Sequence, residues 1–137
     1  MLLVRTMLRP SPIDGIGCFA AERIPAGTPL WRFVPCFDVI LPPSFCQEMC
    51  NAEFLDKYAQ LCPLTGYYIL CADDARFINH SDEPNTGAHA PLFDPQHTHD
   101  ALRDIRQGEE LTCDYRIGDV APFYGFPAAQ CLAEVVS

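Results

Sequence analysis

Short stretches in which apolar and polar residues alternate make up much of the chain, and this pattern predicts strands that are buried on one face. Proline- and glycine-rich runs separate these stretches and indicate turns. There is no strand–helix–strand rhythm and no internal repeat, so the pattern predicts one mainly-β (α+β) domain. Strands are predicted at residues 2–8, 18–21, 29–34, 66–72, 101–105 and 111–115, with extended chain at 36–41.

One segment, residues 44–61, has helical periodicity instead. Polar residues occupy its opposite side, and Ser44 followed by Gln47 resembles a capping box at a helix start. We therefore predict that this segment is the main helix. Its apolar residues, spaced three or four apart, are Phe45, Met49, Ala52, Leu55 and Ala59.

Length and composition indicate a globular protein with a single core. The chain has 137 residues, of which 49% are hydrophobic and 20% charged. Its 18 acidic and nine basic residues give a net charge of −9. This charge argues against direct binding to nucleic acid and favours a basic partner, such as a Lys/Arg-rich peptide or protein. The alternative is that the acidity only keeps a small protein soluble.

The eight cysteines form no C-x-x-C pair, and most lie among apolar residues, where a free thiol packs as a small hydrophobe. The first apolar run is too short for a signal peptide, and no segment is long enough to span a membrane. We therefore expect an intracellular, cytoplasmic protein with reduced thiols and no membrane partner. Cys46 and Cys50, four residues apart, suggest a shared metal, but core packing is the favoured interpretation.

Three segments carry the candidate chemistry. Residues 76–85 read RFINHSDEPN, in which the donor fork of Arg76 is close to Asn79 and His80, which both donate and accept hydrogen bonds. The apolar residues inside this run indicate backbone held rigidly beside a polar ligand. Residues 108–115 read GEELTCDY, and residues 15–19 read GIGCF. Glycines allow close approach of backbone to a ligand, although an ordinary hairpin turn also explains them.

In order and spacing, these segments resemble the signature of the SET-domain protein-lysine methyltransferase family, and the resemblance covers nearly the whole chain. It implies a SET-domain fold of small curved β-sheets with one main helix, in which the C-terminal segment threads through an earlier loop in a knot-like way. Residues 1–137 would form one domain, with a core of about 5–116 and a short tail, 117–137, that closes the site. The chain resembles the minimal SET proteins of viruses and bacteria.

The resemblance also implies an activity, the transfer of methyl groups from S-adenosylmethionine to the ε-amine of a lysine in a protein substrate. This reaction needs a neutral amine aligned with a sulfonium methyl group, and it needs neither a metal nor a covalent intermediate. Tyr115 would be the catalytic residue. The cofactor-binding residues would be Gly15, Ile16, Gly17, Arg76, Phe77, Asn79 and His80, and the substrate-channel residues Tyr58, Cys113 and Tyr124.

Some of these assignments have structural alternatives. Tyr58 could pack inward from a helix face, and Tyr67 and Tyr68 are weaker candidates for the channel. Lys57 is the only lysine in the chain, so self-methylation has little to act on. The runner-up function is a non-catalytic SET module that binds a basic protein or the cofactor. A homodimer that completes the substrate groove is also left open.

The chain departs from the family pattern at the zinc site. Many members have a cysteine where Asp82 stands, together with a cysteine-rich tail, but this tail has only Cys131. We therefore expect an enzyme without zinc. Aromatic residues of the tail, Phe123, Tyr124 and Phe126, would cover the cofactor instead.

Two further residue groups concern product number and metal binding. In the family, the residue two before the catalytic tyrosine, here Cys113, helps to set the number of methyl groups added. Cysteine is small and bonds water weakly, so more than one methyl group is expected. The segment 86–100 is predicted to be a solvated loop or loose hairpin, and a metal site formed by its histidines, His89, His97 and His99, is the less favoured alternative.

Overall fold

The structure is a computed structural model that describes residues 1–34, 36–49, 53–61, 68–88 and 98–115. Within these ranges the chain forms ten short strands, two helices and one 3-10 helix, Asp74–Phe77. The helices are α1 (Pro43–Glu48) and α2 (Glu53–Tyr58). The strands are β1 (Thr6–Pro10), β2 (Ile16–Ala20), β3 (Pro29–Trp31), β4 (Val39–Leu41), β5 (Ala59–Leu61), β6 (Tyr68–Leu70), β7 (Asn79–His80), β8 (Thr86–Ala88), β9 (His99–Ala101) and β10 (Thr112–Cys113).

The strands form small sheets of two or three members. β1 and β2 pair as an antiparallel hairpin, β9 lies between β3 and β8, and β6 lies between β4 and β5. β10 lies parallel to β7, with Thr112 opposite Asn79 and Cys113 opposite His80. The mainly-β prediction is confirmed. The parallel pair also joins the RFINHSDEPN and GEELTCDY segments, which are far apart in the sequence.

One apolar cluster connects the β1–β2 hairpin with the β3–β9–β8 sheet. The backbone of Ile24 bonds that of Ile105 in both directions, and Leu111 donates to the carbonyl of Cys18. These contacts bury the apolar side chains that hold the strand ends together. The buried members of the cluster are Cys18, Ala20, Ile24, Leu30, Ala101, Ile105 and Leu111.

A second apolar cluster, formed by Trp31, Ile69 and Cys71, lies under the β4–β6–β5 sheet. Burial raises the pKa of the Cys71 thiol to about 12 and that of Cys18 to about 11. Both residues therefore stay neutral thiols and pack as small hydrophobes at physiological pH.

The prediction of one helix at 44–61 is wrong. α1 ends before Met49, whose backbone is extended (φ −77°, ψ 129°), and residues 59–61 form β5. The predicted capping box at Ser44 is also wrong, because α1 begins after Pro42 without a side-chain cap. Phe45 is 44% exposed, whereas Leu55 is buried as the periodicity predicted.

Pairing with β6 explains where the helical pattern fails. Ala59 lies opposite Leu70 and Leu61 lies opposite Tyr68, so ladder hydrogen bonds replace the last helical turns. A helical periodicity cannot reveal this competition, because the spacing of apolar residues carries no information about pairing with the strand that follows.

Other strand boundaries differ by a few residues. The first strand was predicted at 2–8, but it extends over 6–10 and leaves Leu2 in an isolated bridge with Trp31. The segment 86–100 does form a hairpin, β8 with β9, although residues 89–97 lie outside the described part of the chain.

None of the helices in the described ranges combines the length and apolar character needed to cross a bilayer. In the same ranges, no three His, Cys, Asp or Glu side chains are grouped to hold a metal ion.

Candidate active site

A cavity of about 330 Å³ lies between the glycine-containing turn, the end of α2, the 3-10 helix and the end of the described chain. This volume is at the small end of the range for small-molecule sites, about 300–1,000 Å³. Eight of the residues predicted for the site line it, namely Gly15, Ile16, Tyr58, Arg76, Phe77, Asn79, His80 and Tyr115. The other lining residues are Ile13, Asp14 and Lys57.

The 3-10 helix presents Arg76 and Phe77 to this cavity. Asp73 precedes it, and its Oδ1 accepts a hydrogen bond from the backbone of Ala75 at 3.1 Å. The second oxygen of Asp73 accepts from the backbone of Leu2 at 2.7 Å. Arg76 donates from Nε to the carbonyl of Cys71 at 3.2 Å. Asp73 therefore anchors the start of the 3-10 helix, and the carbonyl of Cys71 anchors the Arg76 side chain.

The parallel β7–β10 pair brings His80 next to Tyr115. The backbone N–H of Tyr115 donates to Nδ1 of His80 at 3.2 Å, and the two ring centroids are 5.3 Å apart. Because Nδ1 accepts this bond, a neutral ring carries its proton on Nε2, which is 3.1 Å from Oδ1 of Asp82. Asp82, the residue that departs from the family's cysteine, thus orients His80.

The hydroxyl of Tyr115 donates to the backbone carbonyl of Ile78 at 2.5 Å. The side chain is 47% exposed and lines the cavity. Because its proton goes to Ile78, the phenolic oxygen retains lone pairs that can accept from a group in the cavity. A hydroxyl fixed in this way suits the orientation of an amine or a polarised methyl group.

A hydrogen-bonded clamp joins the glycine-containing turn to the two motif segments. Asn79 donates from Nδ2 to Oε1 of Glu110 at 2.8 Å, with Oγ of Ser11 and the carbonyl of Asp14 both at 3.1 Å. Ser11 donates to Glu110 at 2.7 Å. We call Ser11, Asn79 and Glu110 the turn clamp. In the turn clamp, the side-chain amide of Asn79 donates to protein groups, and these bonds fix the turn that lines the cavity.

Two glycines of the turn serve different purposes. Gly15 has φ +46°, in the left-handed region where side chains are disfavoured, and it lines the cavity. Gly17 does not line it, and a Cβ at Gly17 would lie 2.2 Å from Oε1 of Glu110. Gly17 therefore leaves space for the turn clamp.

Aromatic rings form the wall beside α2. Tyr58 contacts Phe77 with centroids 5.5 Å apart, and Nζ of Lys57 is 5.4 Å from the Tyr58 ring. Together with Tyr115, which also lines the cavity, these rings favour cations such as a sulfonium or an ammonium. Asp14 adds one negative charge to the cavity lining, and Lys57 and Arg76 add one positive charge each.

These groups fit S-adenosylmethionine, which carries a sulfonium, an ammonium and a carboxylate. The aromatic rings of Tyr58, Phe77 and Tyr115 suit the cationic sulfur, Asp14 suits the ammonium, and Arg76 suits the carboxylate. The cavity volume and the positive φ of Gly15 agree with a ligand held close to the turn backbone.

Of the predicted channel residues that the structure describes, Cys113 does not line this cavity. Cys113 is 4% exposed and lines a separate space of about 30 Å³, together with Trp31, Ile78 and His99. Tyr124 and the weaker candidate Tyr67 lie outside the described residues, as do the aromatic tail residues. Tyr68 is in β6 and does not line the 330 Å³ cavity.

Sequence reasoning missed several residues of the site. Ser11 precedes the glycine-containing segment and had no signal of its own, and Ile13, Asp14 and Lys57 were equally unmarked. Glu110 did have a signal, because it belongs to GEELTCDY, but the sequence does not distinguish it from Glu109. In the structure, Glu109 instead pairs with Arg103, whose hydrogen bond lowers the pKa of the Glu109 carboxyl.

Comparison with known proteins agrees with this geometry. A profile of the SET domain matches residues 15–116. A search of the curated proteins found no match.

Several solved structures share the fold. The Neurospora SET domain protein DIM-5, a histone lysine methyltransferase, aligns at 24% identity and a TM-score of 0.59, over 83% of this chain and 53% of DIM-5. An active polycomb repressive complex 2 aligns at 22% and 0.62, over 82% of this chain and 15% of the matched one. A candidate histone methyltransferase of Plasmodium falciparum aligns at 21% and 0.54, over 83% and 95%. This chain therefore spans about half of DIM-5 and a small part of the polycomb chain.

Proposed function

Because the chain belongs to the SET domain family, we propose that it is a protein-lysine methyltransferase that transfers methyl groups from S-adenosylmethionine to the ε-amine of a lysine. The observation that carries the proposal is the convergence of the three sequence segments on one cavity. The turn at Gly15, the wall at Arg76 and Phe77, and the tyrosine at the end of GEELTCDY all line it.

The residues of this cavity have separate tasks. When bound, S-adenosylmethionine would supply an electrophilic sulfonium methyl group. The turn clamp holds the backbone of residues 11–15 in place, and the His80–Asp82 contact fixes the position of Tyr115. The oxygen of Tyr115, with its proton donated to Ile78, accepts from the incoming amine and orients its lone pair. Displacement of water by the bound cofactor and substrate favours the neutral, reactive amine, because desolvation disfavours the charged form.

A basic segment of another protein is the proposed substrate. The net charge of −9 favours approach of a Lys/Arg-rich peptide, since opposite charges steer association. Histones, on which DIM-5 acts, are basic and offer a starting point for a substrate search. An intracellular location and a homodimer that completes the groove remain part of the proposal.

We further propose that the enzyme adds more than one methyl group. Cys113 lines the small space together with Ile78, whose carbonyl accepts the Tyr115 hydroxyl. Cysteine is smaller than the tyrosine that limits product number at this position in the family, so the resemblance supports further transfer; Cys113 itself does not line the 330 Å³ cavity. Mass spectrometry of a peptide product under excess cofactor tests this idea. Only monomethyl product at long times contradicts it.

Zinc is not part of the proposed mechanism. The support is Asp82, which stands in the place of a zinc-binding cysteine and contacts His80 instead. Treatment with a strong chelator is expected to leave transfer unchanged. Loss of activity that added zinc restores would overturn this part of the proposal.

Binding and transfer must be measured separately to test the main proposal. Calorimetry with S-adenosylmethionine reports cofactor binding, and a radiolabelled-methyl assay on core histones and on whole-cell lysate reports transfer. The proposal expects both signals. Binding without transfer to any protein would favour a non-catalytic module, and no binding would exclude the cavity as a cofactor site.

A further inference from the structure

The only lysine of the chain lies in the wall of the proposed reaction site. Lys57 is in the last turn of α2, and it is exposed and lines the 330 Å³ cavity. From the sequence alone, self-methylation is not expected, because the chain has only one lysine. The fold changes this expectation, because Lys57 and Tyr115 both line the same cavity.

The surroundings of Lys57 resemble those that the acceptor lysine needs. Its Nζ lies 5.4 Å from the ring of Tyr58, which in turn contacts Phe77 at 5.5 Å. Aromatic faces hold an ammonium and its methylated forms by cation–π attraction, so methylation would not expel the side chain. The four rotatable bonds of lysine let the amine reach different points of so small a cavity.

We propose that Lys57 is a methyl acceptor of its own chain, a modification site used in the absence of an external substrate. The inference rests on the proposed function. The lone pair of Nζ forms the new N–C bond to the sulfonium methyl carbon. The C–S bond breaks, its electron pair stays on sulfur to give S-adenosylhomocysteine, and the proton lost from nitrogen goes to solvent.

The position of Lys57 in the same chain as the reaction site would increase the rate of methyl transfer to it. An amine that lines the same cavity as its reaction partner has a high effective concentration in those conformations that align it with the methyl group. An external peptide that fills the cavity would compete with Lys57. We therefore expect self-methylation to be slow and to decrease when a good substrate is added.

The test uses S-adenosylmethionine with a deuterated methyl group, which excludes methylation acquired during expression. After incubation, fragmentation of the intact protein locates the label. We expect a deuterated methyl group on Lys57, and no label on the chain of Lys57→Arg. Calorimetry on Lys57→Arg shows whether its cavity still binds the cofactor. Label elsewhere on the wild-type chain but not on Lys57 overturns the proposal.

A parallel reaction with core histones separates this proposal from the proposed function. Label in histones without label on Lys57 overturns self-methylation and leaves the methyltransferase proposal standing. Label in neither, under conditions in which the cofactor binds, contradicts both.

Mixing two forms of the protein shows whether the transfer is intramolecular. Tyr115→Phe keeps Lys57 and differs in mass from the wild type, so each chain can be followed in one sample. We expect label only on wild-type chains, with a labelled fraction that does not depend on dilution. Equal label on both forms would show transfer between copies and overturn the intramolecular step.

A readout without catalysis tests the position of Lys57. S-adenosylhomocysteine, which has no methyl group to give, is expected to slow acylation of Lys57 by an amine-specific reagent about threefold or more, relative to an added lysine peptide. Unchanged acylation would show that Lys57 does not face the bound cofactor. Protection without any methyl transfer would make Lys57 a binding contact only and would overturn the proposed modification.

Discussion

Asn79 and Asn85 belong to the same RFINHSDEPN segment and both bond Glu110, yet they do different work. Asn85 is 2% exposed, donates to the backbone carbonyl of Glu110 at 2.8 Å and accepts from the backbone of Thr112 at 2.9 Å. Asn79 is only partly buried and donates to the side chain of Glu110 at 2.8 Å. The bonds of Asn85 connect two backbone segments in the interior, whereas the bonds of Asn79 fix a turn at the cavity.

This difference separates a structural half of the motif from a functional half. The side chain of Asn85 makes the hydrogen bonds that a neighbouring strand would otherwise make to the backbone of Glu110 and Thr112. Without them, these buried backbone groups would be unpaired, which is costly. Asn79 controls the shape of the cavity wall instead. Changes at Asn85 should therefore act on stability, and changes at Asn79 and its partners should act on the cofactor and the reaction.

The largest effect is expected for Asn85→Ala. The change leaves the backbone N–H of Thr112 and the carbonyl of Glu110 without this partner in a buried place, so the free energy of unfolding should fall by about 2–4 kcal/mol. Denaturant unfolding followed by circular dichroism measures it. Asn79→Ala is the matched control and should lose about 1 kcal/mol. Equal losses in both variants would remove the proposed distinction.

Tyr115→Phe should show the opposite behaviour, because its stability should be normal while its turnover falls at least about 100-fold. The reason is that a positioned proton donor or acceptor acts mainly in the transition state. Single-turnover methyl transfer measures the rate, and calorimetry measures cofactor binding. A matched control, Tyr68→Phe, changes a tyrosine of β6 that does not line the cavity. Near-normal turnover of Tyr115→Phe would exclude the hydroxyl from catalysis.

Loss of the turn clamp should have an intermediate effect. Glu110→Ala removes the acceptor shared by Ser11 and Asn79, so the affinity for S-adenosylmethionine should fall about tenfold, which corresponds to about 1.4 kcal/mol. Titration calorimetry measures this affinity. Ser11→Ala should lower it less, because Asn79 still bonds Glu110. An unchanged affinity in Glu110→Ala would show that the clamp does not shape the cofactor site.

The smallest effect concerns the neighbouring Glu109. Its hydrogen bond from Arg103 lowers the pKa of the carboxyl, so the pair contributes stability above the unfolded value of 4.5 and loses it as pH falls through the lower folded value. Because the pair is largely solvated, the contribution should be below about 1 kcal/mol. Arg103→Ala should therefore weaken the acid dependence of thermal unfolding slightly. A larger effect than that of Asn79→Ala would contradict this ranking.

The sequence determined the class of fold, the order of the strand-forming stretches and most of the cavity lining. Strand alternation depends on local burial, and the motif residues Arg76, Asn79, His80 and Tyr115 are recognisable because their types and spacing are unusual together. For these residues the structure adds contacts. His80 receives the Tyr115 backbone, and Tyr115 bonds Ile78.

Only the tertiary structure decided where the helical pattern ends, which glutamate faces the site, and where the single lysine lies. The helix at 44–61 fails because the backbone is already extended at Met49 and because residues 59–61 pair with β6, and such pairing leaves no helical trace in the sequence. Glu109 and Glu110 are chemically identical neighbours, and alternation of side chains along an extended segment sends them to different partners. Lys57 faces the cavity because the last turn of α2 ends there, a property of packing rather than of composition.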